Sequence, residues 1–119
     1  DIAIHVESFD LRNRLLTRLS FSTKIIDCMN SGCAVLAIGP QTQAGIKYLK
    51  DNNAALCIND MESIDDEIAN LLSNTEKIIF YSKQAKILGK RNHKKEKIDS
   101  MVRTDFSSVI ETFHSESLL

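Results

Sequence analysis

Charge of one sign is the first thing this sequence lacks. Its 15 Lys and Arg stand against 16 Asp and Glu, for a formal net charge of -1. No global field therefore argues for nucleic acid or for a membrane surface. Long apolar runs are missing too: none approaches the ~18 residues that a transmembrane helix needs. No secretory or transit signature opens the chain, and no internal repeat or low-complexity segment interrupts it. Cysteine is sparse and unpaired in pattern. Cys28, Cys33 and Cys57 are an odd set inside apolar segments, with no C-x-x-C metal pair. They read as reduced core residues of a cytosolic-facing protein.

What is present is ordinary globular composition, 43% hydrophobic and 26% charged, in a length suited to one domain with a core of its own. The chain opens without methionine, directly in the run Asp1-Ile2-Ala3-Ile4-His5-Val6. That opening predicts a segment of a longer protein, beginning mid-domain. Three short apolar runs, Ile2–Val6, Ala34–Ile38 and Ala54–Ile58, have the length and loop-flanked character of buried parallel strands. Helices are expected between them. One spans Thr23 to Asn30, with Phe21, Ile25, Cys28 and Met29 at helical spacing and Gly32 just past its end. The next, roughly Gln43–Lys50, follows the Gly39-Pro40 turn, with Thr42 as its expected N-cap.

The resulting order, β-α-β-α-β over residues 1–60, predicts an α/β fold: a partial, three-layer Rossmann-like parallel sheet with C-terminal helices over 61–114. The first strand, apolar at most positions, is expected at the centre of the sheet. Should its outer edge stay unpaired, it predicts a homodimer through that edge, or aggregation. In the second half, Ile64, Ile68, Leu71 and Leu72 mark one helix, with Asp65, Asp66 and Glu67 in its first turn. Asn74-Thr75 restarts a second helix, with Ile78, Tyr81, Ala85 and Leu88 inward. Gly89 to His93 breaks the pattern. Ile98, Val102, Phe106, Val109, Ile110 and Phe113 then describe a final amphipathic helix, and Ser115–Leu119 should fray.

Ser20-Phe21-Ser22-Thr23-Lys24 holds the chemistry. Sheets of this kind place ligands at the carboxyl ends of their strands, and this loop falls on that edge. It offers hydroxyls, a lysine and the amides that open a helix, where backbone donors lack partners and the macrodipole favours anions. One turn further, ~5 Å along the axis, Asp27 presents a carboxylate. A diphosphate at the helix tip with a hydroxyl-bearing ring beside Asp27 describes a nucleotide diphosphate. The bland reading of Ser22-Thr23 is plain N-capping, that of Lys24 a solvated lysine, and that of Asp27 a surface carboxylate. Upstream, Ser8–Leu19 reads as a long loop with Arg12, Arg14 and Arg18. Arg18 is nearest the helix and is the candidate for a bidentate phosphate contact. His5 reads as a hydrogen-bonded core histidine.

The pattern S-x-S-T-K-I-x-D-x-M-x-S-G between a strand and a buried strand, followed by G-P, helix, strand and helix, resembles a GT-B glycosyltransferase. The likeness is to the later part of the C-terminal nucleotide-sugar domain of the retaining group-one family. It is clear over Asp1 to Leu72 and looser beyond. In that family a helix N-terminus binds the donor diphosphate and an acidic residue in the helix binds the ribose. The resemblance thus implies Ser22, Thr23 and Lys24 at the diphosphate and Asp27 at the ribose, with D-C-M-N-S-G replacing E-A-M-A-x-G. Leu19 stands where many members carry a glutamate that contacts the donor sugar. The family's glycine-rich loop and its Arg/Lys pair lie earlier in the domain and are not in this chain.

The implied enzyme is a hexosyltransferase acting in polysaccharide biosynthesis. It takes a nucleotide-diphosphate sugar as substrate and a saccharide or lipid-linked acceptor. It needs no metal, since no D-x-D-like acidic cluster is present. An N-terminal domain in cis would supply the acceptor side, and this piece alone should not turn over. The expected location is cytoplasmic, with the cytoplasmic membrane face as an alternative. Lys77 to Lys97 has eight basic residues against Glu96 alone, which suits peripheral membrane contact or a plainly solvated helix face. Few aromatics interleave with them, so nucleic acid is not an expected partner. Two other readings stay open: a non-catalytic nucleotide-binding regulatory α/β domain, and an interaction module built on the terminal helices.

Overall fold

The structure, a computed structural model, describes the backbone of residues 1–117 and the side chains of 1–115. Three strands form one parallel sheet in the order β1 (Ile2–Val6), β2 (Ala34–Ile38), β3 (Leu56–Ile58). Ile2 is paired with Ala34 and Val6 with Ile38, and Leu36 faces Leu56 across the second ladder. The chain is α/β. The strand it centres on is not the expected one: β2 takes the middle, with Ala34 to Ala37 buried, and β1 lies at an edge. Among the described residues β1 pairs with β2 alone. Ile4 and Val6 are 59% and 62% exposed, so the apolar run of β1 is not covered on both faces.

Alternation along β2 divides the core in two. Val35 and Ala37 point to one face, where they meet Ile25 and Met29 of α2 (Lys24–Asn30), Ile46 and Leu49 of α3 (Ala44–Asp51), and Ala85 and Leu88 of α5 (Thr75–Asn92). Leu36 points to the other face. There it packs with Ile58 and with Leu71 of α4 (Ile64–Ser73). Ile78 and Tyr81 of α5 join this second cluster. All four expected inward residues of α5 are thus used, two on each face.

Several local expectations are corrected. Ser8–Leu19 is not an open loop: it holds α1 (Leu11–Thr17), started by Asp10, whose carboxylate accepts from the Asn13 amide at 3.1 Å. No residue of α1 is buried, so its Leu11, Leu15 and Leu16 spacing serves no core. The start of α3 is Gln43 rather than Thr42, and Gln43 makes no capping bond because its amide reaches Thr17 Oγ1 at 3.0 Å. β3 is shorter than expected, since Ala54 and Ala55 lead into it as buried loop.

Gly89 does not break α5. A Cβ there would lie 3.0 Å from Asn30 Oδ1 and 3.3 Å from Met29 Cβ. The glycine serves the close crossing of α5 over α2, and the helix runs on to Asn92. The terminal helix α6 (Lys95–Ser117) forms as expected, but every residue from 94 to 115 is exposed. It projects from the body. The radius of gyration is 18.5 Å with a longest extent of 67 Å, against ~13 Å for a compact chain of this length. α6 runs on to Ser117, and of the end expected to fray residues 118–119 lie outside the described residues.

Candidate functional site

At the carboxyl end of the sheet, Glu7 N donates to Ile38 O at 2.8 Å and Gly39 N to Ile58 O at 3.0 Å. Gly39 allows the close approach of β1 here: a Cβ would meet Glu7 Cβ at 2.8 Å. A cleft of ≈ 640 Å³ opens along β1, between Ile4–Glu7 and the segment Ser20–Lys24, with Thr17 beside them. His5 is 5% exposed, and its Nε2 lies 3.0 Å from Glu7 Oε1. Positions 5 and 7 share one face of the strand, so this pair forms one wall. The reading of His5 as a hydrogen-bonded core residue holds, though it also borders the cleft.

The opposite wall is the start of α2. Thr23 occupies the N-cap position with helical φ and ψ, and its side chain makes no capping bond. Ile25 N and Ile26 N donate to the carbonyls of Ser22 and Thr23 at 3.1 and 3.0 Å. The Ser22, Thr23 and Lys24 amides find no acceptor among the described residues. The ion pairs among those residues are His5–Glu7 and Lys47–Asp51, so Lys24, exposed at the cleft, has no carboxylate partner there. Plain capping is therefore not what these hydroxyls do.

Ser22, Thr23 and Lys24 come together in the cleft. Arg18 and Asp27 do not line it. Arg18 borders a separate hollow of ≈ 110 Å³ with Arg14 and Thr42, and its carbonyl accepts from Ala44 N at 3.0 Å. Asp27 is exposed, one helical turn beyond Lys24 on the same side of α2. Leu19 is exposed next to the segment. Among the described residues no Lys or Arg of 77–97 makes an ion pair; Lys77 and Arg91 instead donate to Asn70 and Asn52.

The loop is anchored from behind by residues that sequence reasoning left without a role. The Phe21 ring meets Tyr48 edge-on, with centroids 5.2 Å apart, and stacks on His93 at 5.8 Å. Asn92 Nδ2 donates to the Tyr48 hydroxyl at 2.9 Å. That hydroxyl lies 2.9 Å from His93 Nε2 and donates to it in the tautomer whose proton is on Nδ1. Burial lowers the His93 pKa from its ordinary value. Nothing in the local sequence signals this cluster, because Phe21, Tyr48 and the Asn92-His93 pair are far apart in the chain, Tyr48 and His93 by 45 residues.

Fold and site define an α/β domain with a mixed polar cleft at a strand end. No family model matches the chain, and neither a curated protein nor a solved structure matches it. Among the described residues, no helix is long and apolar enough to cross a membrane.

Proposed function

We propose that the chain is the donor-binding part of a GT-B glycosyltransferase, with a partial Rossmann-like, three-layer arrangement, and that the cleft takes the diphosphate of a nucleotide sugar. The observation carrying this reading is the unengaged donor set at the opening of α2: three amides, two hydroxyls and an ammonium group on one wall. Phosphoryl oxygens accept from such donors, and the helix opening adds favourable partial charge. During transfer, negative charge develops on the departing diphosphate, and fixed donors stabilise it without reorganising. Asp27, one turn on, suits ribose hydroxyls. Glu7 across the cleft suits hydroxyls rather than phosphate. The acceptor, a saccharide or a lipid-linked one, would be presented by an N-terminal domain at the cytoplasmic membrane face.

One feature favours the runner-up, a nucleotide-binding regulatory domain without catalysis. Leu19 brings no carboxylate to the donor sugar. Both readings require nucleotide binding, and calorimetric titration with UDP, GDP and dTDP tests them together. Lys24→Ala should weaken binding about tenfold or more, as expected for a hydrogen bond between charged groups. Asp27→Ala should weaken a nucleoside diphosphate but spare inorganic pyrophosphate. Binding untouched by either substitution overturns the site. Binding without sugar transfer, once the chain is joined to an acceptor domain, selects the regulatory reading.

A further inference from the structure

The most prominent surface that the cleft leaves unexplained is α6. Its 23 residues span ~35 Å, and its apolar side bears Ile98, Met101, Val102, Phe106, Val109 and Ile110, all exposed. Phe106 alone is 67% exposed. A face of this size on a helix outside both cores marks an interaction surface. Charge along the helix identifies the occupant. Lys94, Lys95, Lys97 and Arg103 outnumber Glu96 and Asp99 in the first half, and no Lys or Arg follows Arg103, whereas Asp105 and Glu111 do. The helix is therefore basic at its start and acidic towards its end.

We propose that two copies of this chain pair through α6, antiparallel. That arrangement lays each basic half along the acidic half of the other copy and sets the two macrodipoles in opposition. A parallel pair would align like charges and like dipoles. An anionic lipid surface fits less well, since over Lys95–Ser117 five acidic residues outnumber three basic ones. One pair of helices of this length is a small interface, at the low end of the range for specific association. The inference is independent of what the cleft binds.

Sedimentation equilibrium of the whole chain at up to about 100 μM tests it, within the weak range expected of a small interface. A monomer–dimer equilibrium is expected. Raising salt should weaken it several-fold, because the charges that pair are exposed. Phe106→Asp, and separately Ile110→Glu, should each raise the dissociation constant at least tenfold, an expectation from loss of a central apolar anchor. Both leave the circular-dichroism melt of the body unchanged, as neither residue joins a core cluster. Val6→Lys, on the open edge of β1, should leave the dimer intact. A chain that stays monomeric overturns the proposal. So does a dimer abolished by Val6→Lys but untouched by Phe106→Asp, which belongs to strand pairing. Association that tightens with salt refutes the antiparallel arrangement. Binding to phosphatidylserine vesicles in place of dimerisation assigns α6 to a membrane.

Discussion

Replacing Tyr48 by Phe removes one oxygen and keeps the ring, which makes it a clean probe of the cluster behind the candidate site. The hydroxyl takes part in two hydrogen bonds of 2.9 Å, with His93 Nε2 and Asn92 Nδ2. Each intramolecular hydrogen bond contributes ~0.5–1.5 kcal/mol net, and these half-exposed ones belong at the lower end. The loss is then about 1–2 kcal/mol, and at ~4 °C per kcal/mol the melting temperature falls by about 4–8 °C. Ring contacts to Phe21 persist, so the proposed nucleotide binding should be nearly unaffected. Acid adds a second reading of the same cluster. Burial holds the folded His93 below the ordinary value of 6.5, so on acidification the unfolded chain takes up the proton first. The associated stability is complete above that ordinary value and is lost as pH falls from it towards the folded value. His93→Gln should abolish that step. Melts of the three proteins at pH 7.5 and at pH 5, about a unit to either side of the ordinary His range, decide it. A Tyr48→Phe shift under about 1 °C would mean that water replaces the hydroxyl freely, refuting the argument from net hydrogen-bond energies.

Asp10→Ala removes the cap of α1 at a cost of about 1 kcal/mol. Because α1 has no buried residue, the effect should be local. Amide exchange over residues 11–17 should quicken about fivefold while the global melt stays put, and a matching fall in the global melt would contradict this. Gly89→Val would force a branched side chain against Asn30 and Met29. Overpacking of this kind costs ~1–3 kcal/mol, seen as a lower denaturation midpoint; an unchanged midpoint would show that α5 and α2 separate easily. The Cys57 thiol is pushed up to about 11 by burial. At pH 8 roughly one molecule in a thousand carries the thiolate, so Cys57 should react slowly with Ellman's reagent until the chain unfolds. Rapid modification of Cys57 in the folded protein would refute its burial.

Where the sequence was legible, a period met a core. The runs of β1 and β2, and the Ile78, Tyr81, Ala85 and Leu88 spacing of α5, name elements because apolar side chains recur at the repeat of the backbone. α1 escaped although Leu11, Leu15 and Leu19 recur at helical spacing behind Asp10; those leucines face water, so the spacing meets no core. Gly89 misled because the same residue that ends helices also lets two of them touch. The rank of β1 within the sheet could not be read from its own letters, since it depends on which strands pair with its two sides. Within the site, Ser22, Thr23 and Lys24 follow from local order along the chain. His5 with Glu7 is visible as strand alternation. Tyr48, Asn92 and His93 converge only in three dimensions.

The placement of α5 has a mechanical consequence. One rod contributes to the hydrophobic cluster on either side of β2, and the Ser82 hydroxyl fastens it at 2.8 Å to the Gly32 carbonyl at the turn before that strand. Neither flank can peel away while α5 stays in place, and α5 cannot leave without undoing both. The body should melt as a single cooperative unit, calorimetric and van't Hoff enthalpies agreeing, while the α6 arm loses its helix on its own schedule.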